Sequence, residues 1–166
     1  MVEGHAPLRT REDDPPMTSA HPVDLLALAA RYADPPRWPV PLRFDRAQRW
    51  YARLAARPDH EVWALSWLPG QGTDLHDHGG SSGAFLVVAG TLTEETVSGG
   101  RLRPRRLAAG AGRRFGARHV HVVTNRGDQP AVSVHVYRPA LRRMTRYRLR
   151  DGQLLIADVA EAGVAW

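Results

Sequence analysis

From Glu61 to Ala157 the chain is a succession of short apolar and β-branched runs, each stopped after a few residues by glycine or a turn sequence. The strand candidates are Val62–Leu68, Ala84–Ala89, Thr91–Val97, Arg103–Leu107, His119–Thr124, Ala131–Arg138 and Thr145–Leu149, with Gln153–Ala157 as a late addition. Gly90, Ser98-Gly99-Gly100 and Asn125-Arg126-Gly127-Asp128 supply turns between them. None of these runs is long enough for a core helix. Many short strands at even spacing can bury their apolar faces only by closing on one another, as a β-sandwich or barrel.

The chain before Glu61 has a different texture. Residues 1–20 are polar and rich in proline and charge, which predicts a tail without a packed core. Val23–Ala33 carries leucine and alanine at helical spacing behind Pro22 and predicts a short helix. Pro35, Pro36, Pro39 and Pro41 force an extended connector. Phe44–Arg57, with Asp45 near its start and Pro58 just past its end, predicts a second helix. The expected architecture is mainly β: one domain over 21–166, with a helical front at 23–57 and a β-barrel at about 61–157.

Two histidines stand inside this β region at i, i+2. Gly70-Gln71-Gly72-Thr73-Asp74-Leu75-His76-Asp77-His78 would project both imidazoles from one face of an extended strand, where they can meet at one metal ion. The chain has no cysteine, so a metal must be held by nitrogen or oxygen. His119, His121 and His135 are the remaining candidates for a third ligand; His60, behind Pro58, is expected in solvated loop. His119 and His121 again share one strand face, and spacing alone does not choose between them.

Ser133-Val134-His135-Val136-Tyr137 alternates polar and apolar. One strand face then carries hydroxyl, imidazole and phenol, and the other carries two valines. Either the polar side chains face a site inside the barrel or they face solvent with the valines in the core.

All 23 basic residues are arginine, and the formal charge is +6. The arginines are scattered without aromatic interleaving, so a nucleic-acid partner is not expected. No apolar run approaches membrane-spanning length, and the first residues lack the apolar centre of a signal peptide. No membrane partner is expected, and the cytoplasm is the expected location. The oligomeric state is left open.

The glycine frame around the histidines resembles the cupin family. Gly70, His76, His78 and Gly90 match the pattern G-x5-H-x-H-x4-E-x6-G, with Gly83 where that pattern has glutamate. Gly110, His121 and Asn125 follow the second cupin pattern more loosely, which picks His121 over His119. The resemblance implies a small jelly-roll barrel whose metal is held by His76, His78 and His121.

With Trp67, Tyr51-Ala52-Arg53 and the Ser133, His135, Tyr137 series added, Phe44 to Pro139 resembles the cysteine dioxygenase family. That resemblance implies iron(II), an L-cysteine substrate oxidised by O2 to the sulfinate, and a binding arginine for the substrate carboxylate. Residue by residue, Arg53 falls on the carboxylate clamp, Tyr51 on the pocket lining, and Tyr137, oriented by His135 and Ser133, beside the reacting atoms. Gly83 also stands where eukaryotic members carry a cysteine crosslinked to the tyrosine, as it does in bacterial-type members. The alternatives are a dioxygenase for 3-mercaptopropionate or another small thiol acid, and a metal-binding cupin sensor without turnover.

Overall fold

The computed structural model describes residues 23–161. The predicted tail at 1–20 lies outside them. Among the described residues one helix, α1 (Leu25–Arg31), comes first, followed by a 3-10 turn at Pro35–Arg37. Eleven strands follow among the described residues: β1 (Tyr51–Ala56), β2 (Glu61–Trp67), β3 (Leu75–His76), β4 (Ser82–Ala89), β5 (Thr91–Ser98), β6 (Arg101–Ala108), β7 (Gly112–Phe115), β8 (His121–Thr124), β9 (Ala131–Arg138), β10 (Arg143–Arg150) and β11 (Gln153–Glu161).

They form two antiparallel sheets, ordered β1-β2-β9-β4-β7 and β11-β10-β3-β8-β5-β6. The expected mainly β architecture holds. No helix among the described residues is long and apolar enough to cross a membrane.

The second predicted helix is corrected. Its C-terminal half is β1, paired with β2 from Tyr51↔Leu65 to Ala56↔Glu61. Alanine, leucine and arginine favour a helix locally, but a helix here would leave the edge of β2 unpaired. Pro58 stops no helix. It sits inside the hairpin turn closed by Arg57 N–H donating to His60 O at 2.8 Å, where proline's fixed φ suits the second residue of a turn. The first helix is shorter than predicted: Asp24 caps it, its carboxylate accepting from the Leu26 and Ala27 N–H groups.

Strand β9 has both faces buried, because the sheet is covered on each side. Val132, Val134 and Val136 pack outward with Val62, Ala64 and Leu86 beneath α1 and Trp38. Ser133, His135 and Tyr137 share the opposite, inward face with Trp67, Phe85 and Phe115. Neither arrangement considered from the sequence alone is complete: the polar face points inward and the valines form a second core.

Gly90, at φ 73°, makes the turn from β4 to β5. A Cβ there would run into the carbonyl oxygen of Pro130, so glycine is required both for the left-handed backbone and for the close approach.

Candidate metal centre

Strand β3 is only two residues long, yet it fixes the site. His76 pairs directly with His121 of β8 on one side and with Arg146 of β10 on the other. His78 follows just past the strand, where Ser81 N–H donates to His78 O. The residue between the two histidines holds this short segment: Asp77 accepts from Gly79 N–H at 2.9 Å, Thr145 N–H at 3.1 Å and Tyr147 O–H at 2.7 Å. Burial would raise the Asp77 carboxyl, but these bonds outweigh it and hold the pKa below its ordinary value.

The imidazoles of His76, His78 and His121 converge. Their ring centroids are 4.8 to 5.0 Å apart, and one nitrogen from each lies within 4.8 Å of the others. His76 Nδ1 donates to Asp74 O at 2.8 Å, and His121 Nδ1 donates to Glu94 Oε1 at 2.9 Å. Each therefore keeps Nε2 as a free lone pair. His78 has a buried Nδ1 with no hydrogen-bond partner among the described residues. Three buried, converging neutral imidazoles, two of them with Nδ1–H engaged and Nε2 left as a lone pair, fit a borderline divalent cation.

Gly83 explains why no carboxylate joins them. A Cβ at this position would overlap the Phe115 ring and the Val136 carbonyl oxygen. Phe115 instead stacks on His78 with centroids 4.6 Å apart. The space a glutamate side chain would need is filled by an aromatic ring.

Beside the centre lies a cavity of about 160 Å³, lined among others by His76, His121, His135 and Tyr137. Tyr51 lines it as well. Arg53 does not. Its side chain is 56% exposed, with Nη1 4.0 Å from Glu61 Oε2 and the guanidinium over the Trp63 ring at 5.7 Å.

The cavity has Arg49 instead, two residues before Tyr51. Arg49 Nη1 donates to Gly72 O at 3.0 Å, and its guanidinium lies 4.8 Å from the Trp67 ring centroid. Its buried Nε has no partner among the described residues, and neither does Trp63 Nε1 in the same wall.

The inward face of β9 forms a hydrogen-bonded series with a direction. Trp67 Nε1 can only donate, and it does so to Ser133 Oγ at 2.9 Å. The Ser133 hydroxyl is then free to donate to His135 Nε2 at 2.9 Å. The neutral imidazole so assigned carries its proton on Nδ1, 3.4 Å from Tyr137 Oη. Burial pushes the Tyr137 phenol above its ordinary pKa and keeps it protonated.

Two further residues were missed in the sequence. Glu94 lies 1% exposed on β5 and takes bonds from His121, His119 and Arg113. A charged residue in the same strand phase as buried Leu92 was the available signal. Phe115 gave none, since it fills Gly83's space only across the β4–β7 pair.

A family model for cysteine dioxygenase type I matches residues 19–150. The chain belongs to the cysteine dioxygenase type I family. That membership and the three-histidine centre place it among metal-dependent oxygenases of the cupin fold.

Solved structures agree on the fold. The TT1209 protein of Thermus thermophilus is 21% identical with a TM-score of 0.54, over 60% of this chain and 90% of that one. An uncharacterised double-stranded β-helix protein of Klebsiella pneumoniae is 20% identical with a TM-score of 0.54, over 70% and 90%. KdgF of Halomonas is 16% identical with a TM-score of 0.51, over 58% and 84%. A comparison with curated proteins returned no match.

The buried histidines make stability depend on pH. Burial is the leading cause that lowers His76, His78, His121 and His135 below the ordinary imidazole value, with His76 brought down to about 3. Their folded-state pKa values lie below the unfolded ones, so the unfolded chain takes up protons first as pH falls. Stability is full above about pH 6.5 and is lost through the acid range.

For His76 alone the loss between pH 7 and pH 4 is about 3 kcal/mol. Denaturant midpoints of the metal-free protein are expected to fall across that window. A midpoint that stays constant from pH 7 to pH 4 contradicts the buried neutral imidazoles.

Proposed function

We propose that this member of the family is an iron(II)-dependent thiol dioxygenase that adds both atoms of O2 to the sulfur of L-cysteine, giving cysteine sulfinate. One observation carries the proposal: neutral imidazoles of His76 and His121 line the same cavity as the guanidinium of Arg49. A metal-binding wall and an anion-binding wall around one small space suit a substrate with a thiol at one end and a carboxylate at the other. The reaction balances without a further oxidant, since a thiol and dioxygen together make a sulfinic acid.

Iron(II) bound by the three histidines would supply the Lewis acidity that turns a thiol into a thiolate at neutral pH, and would bring sulfur and dioxygen together. The chain's own residues do the rest. Arg49 anchors the carboxylate. It takes part in no ion pair among the described residues, and burial lowers its pKa without removing the charge of a guanidinium. A half-buried cation with an idle, buried N–H is stabilised by an anion that fits it.

The Trp63 indole N–H adds a second unused donor to the same wall. Arg146 lines the cavity too, but its charge is already taken by Asp158 at 2.8 Å and Asp74 at 3.5 Å. It is therefore the weaker anchor.

Tyr137 offers its phenolic proton to the reacting oxygen or sulfur. With the Trp67–Ser133–His135 series donating toward it, its own O–H is the one proton left over. Tyr51 closes the cavity from β1 and packs on Trp63 with centroids 6.0 Å apart. Oxygen uptake by the iron-loaded protein with L-cysteine, with the sulfinate identified by mass, tests the proposal.

A further inference from the structure

We propose that Glu94 is a positioning residue of the metal centre, supplying through His121 the carboxylate charge that Gly83 leaves out of the ligand set.

The three histidines are backed unequally. His76 donates to a neutral backbone carbonyl, that of Asp74. His78 Nδ1 has no partner among the described residues. His121 donates to a carboxylate, and that carboxylate is itself fixed at both oxygens. Glu94 Oε1 accepts from His121 Nδ1 and His119 Nε2, each at 2.9 Å, and Oε2 accepts from Arg113 Nε at 2.8 Å.

The register of β5 against β8 provides this arrangement: Thr96 pairs with His121 and Glu94 with Val123, so the glutamate lies diagonally beside the histidine. A carboxylate on Nδ1–H fixes the tautomer and the ring plane and pushes electron density toward Nε2, which strengthens it as a metal donor.

Glu94, His119 and His121 also lie close enough to suggest a second cation site. Arg113 argues against it, because a guanidinium already occupies one oxygen of the only carboxylate in that cluster. The same guanidinium favours the positioning role, since its hydrogen bond to Oε2 holds the glutamate in place beside His121.

The consequence is specific. In the general cupin pattern a glutamate would touch the metal. Here the carboxylate is set back by one imidazole, so a divalent ion held by the three histidines would keep its charge for an anionic ligand. Electron donation then arrives through one ligand of the three.

This inference rests on a metal at the three histidines and not on thiol oxidation, so its test needs no turnover. Cobalt(II) titration of the metal-free full-length protein against a competing chelator is expected to show E94Q binding 10- to 100-fold more weakly than the natural chain. The Fe(III)/Fe(II) potential of the iron-loaded variant is expected to move positive, because the ferric state loses most when a nearby negative charge is removed.

Cobalt affinity within threefold of the natural chain overturns the proposal. So does weaker binding with an unmoved potential, which marks a merely structural role. If E94Q does not fold, the natural chain loaded with zinc decides the matter by NMR. The proposal requires a slowly exchanging proton on His121 Nδ1, and a bare Nδ1 there overturns it.

Discussion

His121→Ala is expected to lose metal by more than about 100-fold in affinity, since removing a ligand exceeds the 10- to 100-fold cost of removing only its hydrogen-bond partner. His119→Ala is expected to retain the metal. The two residues are neighbours on one strand approach, and both contact Glu94, so the contrast isolates which imidazole belongs to the centre. His121 sits opposite His76 in the β3–β8 pair, with its ring 4.8 Å from the His76 ring. His119 is held by Glu94 and by stacking on Phe115 at 5.3 Å, and it is not grouped with His76 and His78.

Metal content after dialysis, measured by elemental analysis, reads the difference. Equal loss in the two variants would mean that His119 is part of the ligand set.

The second large effect is expected at Arg49. Arg49→Gln should raise KM for L-cysteine by about 10- to 100-fold, the range for a hydrogen bond to a charged group, and should change kcat far less. That split is the signature of binding lost equally from ground state and transition state. Arg53→Gln should change KM less than about threefold, because the half-exposed Arg53 side chain lies outside the cavity wall, beside Glu61.

Steady-state oxygen uptake for both variants checks the assignment. A large KM effect at Arg53 and none at Arg49 would move the anchor back to the residue that the family resemblance first indicated.

That reversal shows what was legible in the sequence. His76 and His78 were readable because their i, i+2 spacing and flanking glycines are local, and local geometry survives whatever the chain packs against. The face of β9 carrying Ser133, His135 and Tyr137 was readable for the same reason. Its direction was not, because α1 and Trp38 give the valines a second core of their own.

Phe44–Arg57 has helix-forming composition, so which of its arginines would reach the cavity was not legible. Pairing with β2 makes Tyr51–Ala56 a strand, and the cavity wall holds Tyr51 and Arg49 but not Arg53. Besides β1, two more strands were absent from the strand candidates. β3 has two residues and no pattern to detect, and β7 begins Gly-Arg-Arg. Glu94 and Phe115 act across strand pairs, and a single chain read in order does not reveal which strands will be neighbours.

Loading the protein with iron(II) and following oxygen consumption with L-cysteine and with 3-mercaptopropionate is the most direct test of the proposed activity. Each L-cysteine turned over should consume one O2 and yield one sulfinate, with kcat/KM higher for L-cysteine than for 3-mercaptopropionate. Oxygen consumption with neither thiol, by protein shown to hold its iron, would contradict the dioxygenase and leave a metal-binding cupin without this chemistry.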